Sequence, residues 1–223
     1  MDTATWKHRL SNYGCGALAA LTSLTVGSAL LALYHQLSSA MPHRWSDGPL
    51  SWVAAFLALD LLYYVQHRAE HRVPLLWAVH EVHHQSKLCD TSVSLRLSAL
   101  APVTVLSFHL LLALAGVPTQ VYLATYALHA ALIFLLHTRT PRWLDRAGRV
   151  FNSPYLHRGH HSNHPRLRGK NLGGVLVLWD RLFGTWEPRC DDATDFGVGD
   201  RPTPLNPVLA NLRPLRRLGP SAR

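Results

Sequence analysis

Charge is missing from two long stretches of this 223-residue sequence. No Asp, Glu, Lys or Arg occurs between Arg9 and Arg44, and none between Arg96 and Arg139. An uncharged run as long as residues 97–138 is rare in a soluble domain, whereas about 20 apolar residues cross a bilayer as a helix. Gly116-Val117-Pro118 breaks that run near its middle and is a turn signal. Two spans are therefore expected there, at about 97–117 and 119–136. The first gap holds one, at about 14–34, and a fourth at about 50–66 contains a single charge, Asp60.

Cysteine is also scarce. Cys15, Cys89 and Cys190 are odd in number and unpatterned, which excludes a disulfide framework and a CxxC zinc site. No flavin, haem or iron–sulfur motif is visible, so any electrons must come from outside. Residues 1–14 lack a short apolar core followed by a cleavage site, and the first span is expected to be retained.

The charges that remain are one-sided. The formal net charge of +9 would suit nucleic acid if it were spread along the chain. With four spans and an inner N-terminus, however, every Lys and Arg except Arg44 falls in the inner segments 1–13, 67–96 and 138–223. That asymmetry follows the positive-inside rule and argues for a membrane, not a nucleic acid, as the partner. Arginine outnumbers lysine heavily, which points to a GC-rich bacterial genome and hence to a bacterial inner membrane.

Histidine is what the sequence has in abundance, 15 in all. Nine fall in four groups at the inner ends of the spans. His67 and His71 form HxxxH; His80, His83 and His84 form HxxHH; His157, His160 and His161 repeat it; His137 closes the last span. On a helix, residues three and four apart share a face, so each group is expected to aim its imidazoles one way. Neutral imidazole is the commonest protein ligand for transition metals. Nine donors exceed the four to six positions of one ion, so a two-metal site is expected. The second span runs into the first motif, with Asp60, Tyr64, His67 and His71 on one stripe. A carboxylate within a span is costly, and Asp60 is expected to accept a proton from a ligand imidazole or a neighbouring tyrosine. Pro74, and Ser153 followed by Pro154, are start signals for short helices carrying the two HxxHH groups. His129 and His109, deeper in the spans, are expected in interhelical hydrogen bonds. His8, His35 and His43 are expected at the surface, and His164, directly before Pro165, is not expected as a ligand.

Two other readings compete. His80-Glu81-Val82-His83-His84 also reads as HExxH, a zinc protease signature with Glu81 as general base; it leaves the other imidazoles unexplained. A metal transporter would place its ligands near the midplane, not at one face. The apolar segment from Gly173 to Trp186 is too interrupted to span and is expected at the interface, over the metal site. Residues 188–223, rich in Pro, Arg and Asp, are expected to form an irregular cytoplasmic tail behind a single membrane-embedded domain, 1–187.

The stretches DLLYYVQHRAEH (60–71), HEVHHQSKLCDTSVSLR (80–96) and NSPYLHRGHHSNHPRLRGKNLGGVLVLWDRLFGTW (152–186) resemble the fatty acid hydroxylase/sterol desaturase superfamily of integral membrane di-iron enzymes. The last, with FLLHT at 134–138, is similar to its alkylglycerol monooxygenase branch and bacterial sterol-desaturase-like relatives. The resemblance implies an all-α membrane fold of four transmembrane helices in two hairpins, with a histidine-rich catalytic cap facing the cytoplasm. It places His67, His71, His80, His83, His84, His157, His160 and His161 in an eight-histidine ligand pattern, with His137 as a further ligand. It also implies two iron ions, O2 as co-substrate, a membrane lipid that is hydroxylated or desaturated, and an external donor such as a ferredoxin or a cytochrome b5-like protein with its reductase. A pterin donor follows only by analogy with the alkylglycerol enzymes. Asp60 and Glu81 would then balance charge around a neutral imidazole shell.

Overall fold

The computed structural model describes residues 3–42, 45, 48–138 and 149–218; Arg44 and His43 lie outside them. Among these residues there are nine α-helices and no strand beyond two isolated β-bridges, Phe151–Leu176 and Ser162–Phe196. The chain begins as one continuous rod of 38 residues, Thr3–Ala40. Within it, α1 (Thr3–Thr22) and α2 (Ser28–Ala40) are joined by a π-turn, Ser23–Gly27. Hydroxyls crowd that junction: Thr22, Ser23, Thr25 and Ser28 each bond the carbonyl four residues earlier. Such back-bonding competes with the helical ladder and loosens it locally.

Prolines open the helices that follow. They are α3 (Pro49–Glu70), α4 (Pro74–His84), α5 (Ala101–Leu114, with Pro102 at its second position), α7 (Pro154–His160) and α9 (Pro207–Arg216). Proline fits the first turn because its missing N–H has no partner there anyway. Between them lie α6 (Thr119–Leu135) and the five-residue α8 (Leu178–Leu182).

Contacts fix the two ends of the bundle. α2 packs on α5 and α3 on α6, around Tyr34, Leu59, Leu112 and Tyr122. Tyr34 stacks on Tyr122 at 4.3 Å and donates to the Val117 carbonyl at 3.1 Å. Gly116 turns the α5–α6 hairpin at φ 77°, a left-handed helix end that favours glycine. At the opposite end, Cys15 of α1, Val82 of α4 and Ala210 of α9 form a small core. The histidine-bearing ends of α3, α4 and α6 gather on this side.

The described structure departs from two expectations in detail. Among the described residues, only the helices Thr3–Ala40 and Pro49–Glu70 are by themselves long and apolar enough to cross a membrane. α5 and α6, with 14 and 17 residues, extend about 21 and 26 Å, short of a hydrocarbon core of about 30 Å. α5 starts late because the residues before it are committed elsewhere: Asn211 of α9 accepts from the Ala99 N–H and the Ser98 hydroxyl. Residues 188–223 are also not wholly irregular. Asn206 caps α9 through the N–H groups of Val208 and Leu209, and Ala210 and Pro214 are buried. The tail folds because α9 finds an apolar seat on α1 and α4.

Arg96 ties these parts together. It is fully buried and donates to Val82 O, Ser11 Oγ, Asn12 Oδ1, Gln85 Oε1 and Pro204 O. It therefore links α1, α4 and the segment before α9. Replacing it with Met leaves these acceptors without a donor, an expected loss of about 3 kcal/mol. The thermal midpoint of R96M in detergent should fall clearly below wild type, and an unchanged midpoint would remove the network from the account of stability.

Candidate metal centre

Nine imidazoles converge at the α3–α4–α6–α7 end. α3 and the residue after it bring His67 and His71, α4 brings His80, His83 and His84, His137 follows α6, and α7 with its cap brings His157, His160 and His161. They form two groups. His67, His71, His80, His84 and His160 make one; His83, His137, His157 and His161 make the other. Within each group the ligand atoms lie within 4.8 Å of one another.

Each HxxHH motif is split between the groups rather than aimed one way. On α4, His80 and His84 join the first group and His83 the second; on α7, His157 and His161 join the second and His160 the first. Positions i and i+4 nearly superpose down a helix, whereas i+3 and i+4 are about 100° apart. Each short helix therefore serves both groups, and the groups abut, with His84 and His161 stacked at 4.4 Å.

The nitrogen spacing carries chemical information. His67 Nδ1 contacts the Leu172 carbonyl at 2.8 Å, His160 Nδ1 that of Lys170 at 3.0 Å, His83 Nδ1 that of Arg96 at 3.2 Å, and His80 Nδ1 the Glu70 carboxylate at 3.1 Å. A carbonyl or carboxylate accepts, so each of these Nδ1 atoms carries the proton and each Nε2 is left with a bare lone pair. Yet His67 Nε2 and His80 Nε2 face each other at 3.0 Å. Two lone pairs at that distance repel unless a cation lies between them. The same spacing recurs at 3.1 Å between His84 and His160, and around the triangle of His137, His157 and His161. Two nitrogens bound at about 2.1 Å to one ion lie about 3.0 Å apart at a right angle, and about 3.4 Å apart at a tetrahedral one. The contacts fit adjacent positions around a five- or six-coordinate ion. His71 Nε2 is buried and lacks any partner, as a nitrogen waiting on a metal would.

Burial disfavours the charged form of seven of these rings. It pushes His71, His83, His84, His157, His160 and His161 well below the usual histidine value, and neighbouring imidazoles add to the effect. His137 is lowered to about 4, chiefly by burial.

Asp60 acts at one remove. It is fully buried and accepts from the N–H groups of Val175 and Leu176, from Trp179 Nε1, and from His129 Nε2 at 2.7 Å. It touches none of the nine histidines among these bonds. It instead anchors the segment whose carbonyls at 170 and 172 hold His160 and His67. Gly174 permits the approach, since a Cβ there would lie 2.7 Å from Asp60 Oδ1. Asp180 holds the same segment, accepting from the N–H groups of Leu172 and Gly173 and from the Thr185 hydroxyl. The expectation that Asp60 serves a ligand imidazole or a tyrosine is corrected accordingly.

Glu81 is turned away from the cluster. Its carboxylate is held by Arg217 at 2.8 and 3.1 Å, on the α9 side of α4. An HExxH general base must sit beside the metal, and this one does not. The carboxylate that does reach the centre is Glu70, which sequence reading missed. It receives His80 Nδ1, with Gln66 Nε2 at 3.0 Å on its other oxygen. The only hint was an acid within His67-Arg68-Ala69-Glu70-His71, and its partner lies on another helix. His129 and His109 make the expected interhelical bonds, to Asp60 and Tyr122, and His164 is exposed. The Gly173–Trp186 segment exposes Leu178, Leu182 and Phe183 around α8.

Comparison with known proteins finds relatives of this chain. A family profile described as fatty acid hydroxylase matches residues 52–185. Alkylglycerol monooxygenase of Homo sapiens is 34% identical over 180 residues, covering 80% of this chain and 40% of its own length. That of Caenorhabditis elegans is 30% identical over 170 residues, with 76% and 34% covered. Ornithine lipid hydroxylase OlsE of Rhizobium tropici is 28% identical over 209 residues, with 86% and 59% covered. The chain thus spans well under half the length of the alkylglycerol monooxygenases. No solved structure matches.

Proton linkage gives a test of the neutral cluster. Above the ordinary histidine value of 6.5, folded and unfolded chains bind no protons at these sites. Below it the unfolded chain takes up protons that the folded one excludes, so stability falls as pH drops from 6.5 towards 4. The thermal midpoint of chelator-treated protein should drop by at least about 5 °C between pH 7.5 and 5.5. A flat profile would mean that the imidazoles are not buried together.

Proposed function

This chain belongs to the fatty acid hydroxylase family, and from that premise we propose that it is an O2-dependent di-iron membrane oxygenase acting on a lipid. The observation that carries the reading is the pair of histidine groups, within each of which Nε2 atoms face one another at 3.0–3.2 Å. His67, His71, His80, His84 and His160 would hold one iron, and His83, His137, His157 and His161 the other. Bound iron supplies O2 activation and the oxidising power needed to break an inert C–H bond. In balance, one O2, two electrons and two protons convert C–H to C–OH and water; desaturation uses the same inputs and yields a C=C bond and two waters. The names of the relatives favour hydroxylation.

The protein's own part is to position and exclude. Glu70, by accepting from His80, and the carbonyls of Leu172, Lys170 and Arg96 fix ring orientation and keep each Nε2 free to bind. Asp60 and Asp180 clamp the 171–186 segment over the cluster, which limits water. Leu178, Leu182 and Phe183 would rest in the bilayer surface and admit a lipid.

The proposed setting is a membrane-embedded catalytic domain over 1–187, with four spans in two hairpins and the histidine end facing the cytoplasm. Charge asymmetry supports that orientation. α5 and α6 are short for spans, so local thinning of the bilayer would accompany them. The basic inner face suits an acidic electron donor, a ferredoxin or a cytochrome b5-like protein. A bacterial inner membrane is the proposed location. Glu81, bound to Arg217, speaks against the protease alternative.

Metal analysis with lipid turnover tests the proposal. The purified protein should carry about two irons per chain, and H160A and H83A should each lose iron and lower lipid oxidation by at least ~100-fold. A single zinc, or lipid conversion that proceeds without O2, would refute it.

A further inference from the structure

A cavity of about 440 Å3 opens directly against the histidines. Its floor is His71, His84, His160 and His161, with Trp77 beside them, and its far wall is residues 197–201 with Arg168 and Gly169. That wall is held in place. The Gly199 N–H donates to Asn163 Oδ1, and Lys87 Nζ donates to the Gly199 carbonyl. Gly197 and Gly199 take left-handed φ values of 102° and 55°, which let the segment bend across the opening.

Three charges line this cavity: Arg168, Asp200 and Arg201, all exposed. Neither Arg168 nor Asp200 has an ion-pair partner among the described residues. Arg201 lies 3.9 Å from Glu81, but Glu81 is already engaged by Arg217 at 2.8 Å. Arg168 and Asp200 thus face a common space without neutralising partners, and Arg201 beside them has only a long contact to an acid that Arg217 already holds. Elsewhere, an apolar groove of about 770 Å3 runs between α1, α5 and α6; its lining contains no charged residue and none of the nine histidines. Space suited to hydrocarbon is therefore separate from the space against the centre. An alkyl chain filling the smaller cavity would strip water from its charges and offer them nothing. A head with an anion and a cation a few atoms apart would satisfy all three.

We infer that this cavity binds the zwitterionic head of the lipid substrate, its anion between Arg168 and Arg201 and its ammonium group on Asp200. The carbon presented to the centre then lies in the head or within the first few bonds of the chain, not in mid-chain. This deepens, and rests on, the lipid-oxygenase reading above. The anion could be a phosphate or a carboxylate, since bidentate guanidinium recognition serves both.

Binding without turnover tests it. The purified full chain in detergent is titrated with four short-chain probes and read by native mass spectrometry. They are dihexanoylphosphatidylethanolamine, N-octanoylornithine, dihexanoylphosphatidylglycerol and the neutral 1-O-hexylglycerol. At least one zwitterion should bind about tenfold more tightly than hexylglycerol. Preference for the phospholipid identifies phosphate as the anion, and preference for the ornithine conjugate identifies carboxylate. R168Q should weaken the preferred zwitterion about tenfold, and D200N should weaken it while leaving phosphatidylglycerol unchanged. Both residues are exposed, so folding is not at stake. Equal binding of hexylglycerol and both zwitterions, or unaltered affinities in both variants, would overturn the assignment. A chain that holds iron and oxidises lipid, yet shows no head preference, fails this inference alone; a chain without iron fails the oxygenase reading while its head binding can still be read.

Discussion

Two unprotonated imidazole nitrogens pressed together at 3.0 Å, as His67 and His80 are, are tolerable only if positive charge sits between them. That constraint organises the rest of the protein. Burial removes the alternative of protonating the rings, because nine imidazolium ions could not share a dry space. The carbonyls of Leu172, Lys170 and Arg96 and the carboxylate of Glu70 remove the alternative of rotating the proton to Nε2. What remains is a cluster whose folded form is matched to cations, so that metal affinity becomes folding free energy.

The supporting architecture works in tiers. The apolar helices α3 and α6 carry His67, His71 and His137 to one end of a bundle. Two proline-started helices of eleven and seven residues, α4 and α7, each divide their histidines between the two groups. Around them lies the 170–186 segment, held by two buried acids, Asp60 and Asp180, and behind α4 the tail helix is tied in through Arg96. Loss of a distant clamp would therefore be felt at the nitrogens through backbone carbonyls, with no ligand changed.

Much of this was legible in the residues. The nine histidines were readable because ligand chemistry concentrates one residue type at helical spacing, and the structure brings all nine into the two groups. The uncharged gaps gave the helices between which they sit. What sequence could not convey was partnership across helices. Asp60 looked like a neighbour of ligands on its own stripe, but its oxygens bond residues 175, 176 and 179, more than a hundred positions away. Glu81 looked like a base beside His80, but helical rotation turns it to Arg217. Glu70 drew no notice because nothing local marks it as the partner of His80. The tail read as irregular from composition, although Asn206-Pro207 is a capping pattern; only the seat on α1 and α4 makes it a stable helix. α5 starts late for a similar reason, since Asn211 claims the turn before it.

The most direct measurement is a structure of the iron-loaded protein with anomalous scattering recorded at the iron edge. The account predicts two peaks, one enclosed by His67, His71, His80, His84 and His160 and the other by His83, His137, His157 and His161. A single peak shared by both groups, or metal bound away from these nitrogens, would contradict it.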